Sequence, residues 1–235
     1  MILDQFTLHS VIIQTVYEDA FILWDRAGDI ARRMSKIWPG LKLVEGQPNQ
    51  QTLTAPGVQI LTGFRTSTFT MRGPKALDQT RVRQITDSYS LLRDSLELEN
   101  LQRVSARSVY VKKFQNLKEA NNAVAALGLL KWPSERVFDQ PTDTDMNGAE
   151  ILFRFEDKTS FTFLRLKAEE LKFEAELDPE FFDEPIKRSE PRMVIDFDRG
   201  LLGTIDARKL RMDDWLKGYS HVLRRDIDKV LRPNT

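Results

Sequence analysis

Cysteine is absent from the sequence, which excludes disulfides, thiolate metal sites and cysteine nucleophiles. Histidine is nearly so: His9 and His221 are the two present. Two imidazoles cannot build a His-rich metal centre. An excess of charge of one sign is missing too, because 35 Lys and Arg balance 35 Asp and Glu. No global field therefore favours nucleic acid, an acidic substrate or a membrane surface. No apolar run reaches the roughly 20 residues that a membrane helix needs. The first residues, MILDQFTLHSVIIQTVYEDAF, have no basic segment and carry Asp4, unlike a signal peptide. These absences predict a soluble, cytoplasmic protein with no membrane partner.

Motifs that announce an enzyme are missing as well. RGLLGT (residues 199–204) lacks the glycines of GxGxxG and the Lys-Ser/Thr pair of a phosphate loop. GxSxG, HExxH and the kinase strings do not occur. No cofactor is expected, and no catalytic residue is assigned.

What is present is a chain of 235 residues, 41% hydrophobic and 30% charged. That is enough for one large or two small domains with a sizeable core. Residues 6–17 are rich in β-branched and aromatic types and predict a strand. Leu23, Trp24, Ala27, Ile30, Ala31, Met34, Ile37 and Trp38 recur at helical spacing, and Pro39-Gly40 stops that helix. Strands follow at 50–55 and 58–72, then a helix carrying Val82, Ile85, Tyr89, Leu92 and Leu96, then a strand at 103–114. The order β-α-β-β-α-β is that of the ferredoxin-like plait.

The second half opens with a short helix near 117–128. Strands are expected at 150–156, 159–167, 170–177 and 192–198, with EDKT as the first hairpin turn. Residues 178–191, acidic and with three prolines, read as a linker or protruding loop. A terminal amphipathic helix spans about 212–231. We therefore expect an α+β fold of antiparallel sheets covered by helices, in the form of a duplicated ferredoxin-like plait. Its halves would be residues 1–115 and 116–235, although an extension of the first sheet would fit the second half too.

Four candidate sites emerge. In VIDFDRG, Asp196 and Asp198 stand two apart on a strand and project from one face. Such a pair can hold Mg²⁺. The alternation with Met193, Ile195 and Phe197 instead makes them the wet face of a half-buried strand, the reading we prefer, so no metal is assigned. The stretch from Arg65 to Lys113 is rich in arginine, and Arg81, Arg83, Arg103 and Arg107 are candidate nucleic-acid contacts. Phe64, Phe69 and Tyr110 would be its aromatic platform, but the odd spacing of Phe64 and Phe69 sends them to opposite faces of an unbulged strand. Phe181 and Phe182, between acids and prolines, either tuck onto the body or anchor a protein partner. His9 and His221 are each a general base in principle, but neither has a positioned acid or nucleophile in the sequence.

The layout resembles a sporadically distributed bacterial family of uncharacterised proteins of about this length. The likeness rests on the early strand and Trp-containing helix ending in Pro39, and on the arginine-bearing strand RVSARSVYV. The late DFD strand and the helix WLKGYSHVLRRDIDKVL complete it. The resemblance supplies no catalytic residues; the family's patchy distribution is compatible with mobile or antiviral-defence genes. Three functions are in play. The first is a non-enzymatic binding or assembly protein, a subunit or adaptor with a protein partner or a second copy. The second is an RNA-binding plait protein, or an endoribonuclease of the CRISPR RNA-processing type. The third is Mg-dependent phosphotransfer or nuclease chemistry at Asp196 and Asp198.

Overall fold

Strict alternation builds the central strand. β1 (Thr7–Tyr17) buries Val11, Ile13, Thr15 and Tyr17, while Ile12, Gln14 and Val16 on its other side stay half-buried. In the computed structural model, which describes residues 2–47, 49–129, 148–175 and 186–231, β1 lies between β5 (Thr66–Arg72) and β6 (Asn100–Lys113). Beyond β5 come β4 (Val58–Gly63), β3 (Gln50–Ala55) and β2 (Lys42–Gln47). Beyond β6 come β9 (Ile186–Asp206), β8 (Ser160–Ala175) and β7 (Glu150–Glu156). Among the described residues the result is one nine-stranded sheet in the order β2-β3-β4-β5-β1-β6-β9-β8-β7, with every neighbouring pair antiparallel.

Helices α1 (Leu23–Ile37), α2 (Gln79–Ser95), α3 (Leu117–Ala125) and α4 (Met212–Leu231) cover one face of this sheet. Their inward residues join Val11, Ile13, Ile60, Phe69, Val104, Leu166 and Ile195 in a single core. Three buried aromatic side chains satisfy their polar tips there. Trp38 Nε1 donates to Ser88 Oγ at 2.7 Å, and the Tyr89 hydroxyl donates to the Ala207 carbonyl at 2.8 Å. The Tyr219 hydroxyl bonds Ser108 Oγ at 2.8 Å and the Phe197 carbonyl at 3.1 Å. Local signals fix the element ends: Asp78 caps α2 through Arg81 N–H, Asn116 caps α3 through Glu119 N–H, and Gly40 turns the chain with φ +82°. No helix among the described residues is long and apolar enough to cross a membrane.

The α+β class and the antiparallel sheet agree with the sequence reading, but the architecture departs from two plaits. Residues 1–115 and 116–235 share one sheet, because β9 pairs along β6 from Lys113–Arg192 to Asn100–Asp206. The second half is a β7-β8-β9 meander added to that edge, so the sheet is larger than a plait. An unexpected hairpin, β2–β3, extends the other side. The strand expected at 58–72 breaks at residues 64–65 into β4 and β5. The strands expected at 159–167 and 170–177 run together as β8, since Ala168 and Glu169 stay in register with Met193 and Arg192. β9 likewise takes in residues 186–191 of the expected loop and RGLLGT after the DFD stretch. Pairing partners on both sides override local turn and breaker signals here.

Candidate functional site

The face opposite the helices is left uncovered by any described helix. On β3, β4, β5 and β1 it carries Thr52, Thr54, Gln59, Thr68, Thr70, Ser10 and Gln14. On β6, β9, β8 and β7 it becomes charged, because the register lines up residues of like parity. Arg107 stands across from Asp198 and Val109 across from Asp196. Arg165 is opposite Asp196 and Phe163 opposite Asp198. Leu152 is opposite Arg165 and Arg154 opposite Phe163.

Arg107, Leu152, Arg154, Phe163, Arg165, Asp196 and Asp198 line a cavity of about 170 Å³. Asp196, 7% exposed, is held by two parallel bonds from Arg107: Nε to Oδ1 at 2.7 Å and Nη2 to Oδ2 at 2.6 Å. This fork geometry is the strong form of a carboxylate pair. The carboxylate in turn holds the Arg107 guanidinium even more firmly protonated than usual. Arg165 Nε lies 3.0 Å from Glu150 Oε1. Arg154 stacks on the Phe163 ring, 5.4 Å from its centroid, and Arg103 stacks on Phe161 at 4.9 Å. Phe161 and Phe163 touch, with ring centroids 5.0 Å apart. Gly200 makes room for this layer. A Cβ there would stand 2.5 Å from the Phe161 ring and 2.6 Å from the Val104 carbonyl.

Asp198 is different from its neighbour. Its Oδ1 is buried and accepts no hydrogen bond from the described residues. Burial pushes its carboxyl pKa up; Arg103 and Arg107 oppose this, and Asp196 adds to it. The two aspartates do share one side of the strand, as expected. The expectation that both are solvated is corrected for Asp196, which an arginine pair allows to lie buried. A divalent ion shared between them would have to displace the Arg107 guanidinium from both Asp196 oxygens. Among the described residues no group of three His, Asp or Glu side chains is placed to hold a metal.

The arginines predicted as a nucleic-acid patch do not share a surface. Arg103 and Arg107 belong to the uncovered face. Arg81 lies on α2, over the Trp38 ring at 5.1 Å, and Arg83 is on the same helix facing Asp87. The aromatic platform is not formed either. Phe69 is in the core, Tyr110 packs against that core on the helix side, and Phe64 sits after β4 against Phe21 and Trp24. His9 feels Arg192, Arg72, Glu190 and Lys113, and burial with Arg192 and Arg72 lowers its pKa. His221 is exposed on α4. Neither histidine meets the aspartates. Phe181 and Phe182 lie outside the described residues.

Sequence reasoning missed Arg154, Arg165, Phe161, Phe163 and Leu152. The signal was available: the EDKT turn fixes a hairpin register that sets Arg154 against Phe163 and Leu152 against Arg165. That turn is firmly made, with Asp157 accepting from the Thr159 and Ser160 amides and hydroxyls, which holds its carboxyl down at about 2.

A second feature grows from the same strands. β8 and β9 pair from Glu170–Pro191 out to Ala175–Ile186, past the ends of β7 and nearly all of β6. The outcome is a two-stranded ribbon whose Phe173 is 50% exposed. At its root Lys113 pairs with Glu190 and Arg192 with Glu169. No family model matches the sequence, and no match was found among curated proteins.

Proposed function

We propose that the chain is a non-enzymatic binding and assembly protein, a subunit or adaptor whose partner is another protein. Its working surface is the uncovered face of β6, β9, β8 and β7 together with the ribbon that β8 and β9 project. The observation that carries this reading is the ribbon. A two-stranded β-ribbon alone is marginal in water, and one displaying Phe173 at half exposure gains most from a surface to lie against. The charged cluster supports the same reading. Arg107 and Arg165 already face Asp196 and Glu150, an arrangement suited to orienting a partner rather than to transferring a proton or phosphoryl group. The resemblance to a sporadically distributed bacterial family supports placing the assembly among mobile or defence-associated systems.

The test is co-purification of the tagged protein from its own host. A partner present in stoichiometric amount should be lost with Phe173→Ser on the ribbon and retained with Arg83→Glu on the helix layer. Loss in both variants, or in neither, would contradict the surface assignment.

A further inference from the structure

The two edges of the sheet are not alike. β2 ends one side with a register shift between Leu43 and Glu45, and bulges and charges are how edge strands avoid adding a neighbour. β7 ends the other side among the described residues, and its register with β8 is unbroken from Glu150 to Glu156. It contains no proline, glycine or lysine. Leu152 is 39% exposed on one face and Phe155 63% on the other. Such a regular, partly apolar edge is a template for another strand.

The bonding parity identifies which groups of β7 do not bond to β8. Ala168 N–H donates to the Ala149 carbonyl, and Asp157 N–H donates to the Ser160 carbonyl. In an antiparallel ladder such positions alternate. The odd-numbered residues of β7 therefore bond to β8, and Glu150, Leu152, Arg154 and Glu156 turn their N–H and C=O groups outward. All four are exposed.

Resting on the binding-protein reading above, we propose that β7 pairs antiparallel with β7 of a second copy of this chain, with Leu152 on the two-fold axis. Charge selects this register. Glu150 then stands opposite the partner's Arg154, and Arg154 opposite the partner's Glu150. Leu152 meets its own copy, and Ile151 meets the partner's Phe153 on the helix side. Moving the axis to Phe153 would set Glu150 against the partner's Glu156, and moving it to Arg154 would oppose two arginines; like charges directly opposite are destabilising. Three outward-facing residue pairs would each exchange two backbone hydrogen bonds. The two sheets would join into one, with both helix layers on the same side, as an isologous contact requires.

Sedimentation velocity over a concentration series tests this on the purified full chain. Wild type should pass from monomer to dimer as concentration rises. Glu150→Arg or Arg154→Glu alone puts like charges opposite each other twice per interface and should weaken the dimer about tenfold or more. The double variant Glu150→Arg/Arg154→Glu should restore it. Leu152→Lys, which sets two ammonium groups on the axis, should be monomeric while still unfolding in one cooperative transition. A wild type that stays monomeric throughout, a dimer indifferent to Leu152→Lys, or a double variant without rescue would overturn the proposal. A monomeric wild type that still carries a Phe173-dependent partner would sink the dimer alone; a dimer without such a partner would sink the other reading.

Discussion

Arg107 and Asp196 close a two-point ion pair across β6 and β9, with bonds of 2.7 and 2.6 Å. The aspartate is 7% exposed, and among the described residues this guanidinium bonds both of its oxygens. Arg107→Ala would leave a buried carboxylate without its counter-charge. It should cost about 2–3 kcal/mol, below the full range for a deeply buried pair because Arg107 is itself half open to water. Arg107→Lys should recover only part, since an ammonium cannot make the fork. Urea unfolding of the two variants measures both effects, and equal midpoints for wild type and Arg107→Ala would show that the pair contributes nothing.

Asp198 sets a pH dependence of opposite sense to the usual carboxylate. Burial raises its pKa in the folded state. Between the ordinary aspartate value and that raised value, the folded protein holds a proton that the unfolded chain has released. Stability from this group is therefore greatest at low pH and declines as pH rises through the folded pKa. Asp198→Asn should remove the decline and melt above wild type at neutral pH. Thermal unfolding of both proteins across the acidic range checks it; parallel curves would rule out a titrating Asp198.

Gly200 is fixed by space and not by backbone conformation. A Cβ there would meet the Phe161 ring at 2.5 Å and the Val104 carbonyl at 2.6 Å. Gly200→Ala should cost about 1–3 kcal/mol through overpacking. Phe161→Leu in the same chain should relieve this only in part, because the second clash is with backbone. Full rescue in a denaturation double-mutant cycle would contradict that account.

The Tyr219 hydroxyl ties α4 to the sheet through Ser108 and the Phe197 carbonyl. Tyr219→Phe leaves the buried Ser108 hydroxyl short of a partner and should cost about 1–2 kcal/mol. Tyr219→Phe combined with Ser108→Ala should cost less than the single change, as read by chemical denaturation.

The helices were readable because their signals are local. Leu23, Ile30 and Met34 on α1 and Met212 through Leu231 on α4 carry their periodicity within a single element. Strand ends were less readable because they depend on neighbours. Nothing in Lys167, Ala168 and Glu169 by themselves says whether the chain turns, whereas pairing to Val194, Met193 and Arg192 keeps it straight. The same dependence hid the site. Asp196 reads as a solvated strand residue until Arg107, 89 positions away, is placed beside it. Arg154 gains meaning only from the hairpin that sets it on Phe163.

Hydrogen exchange of the ribbon segment Glu170–Ala175 decides whether this surface serves a partner. Leu171–Phe173 should exchange rapidly in the dilute, isolated protein and at least about tenfold more slowly once the protein is in its assembly. Full protection in the isolated monomer, or exchange unchanged by assembly, would contradict the assignment of this surface to a partner.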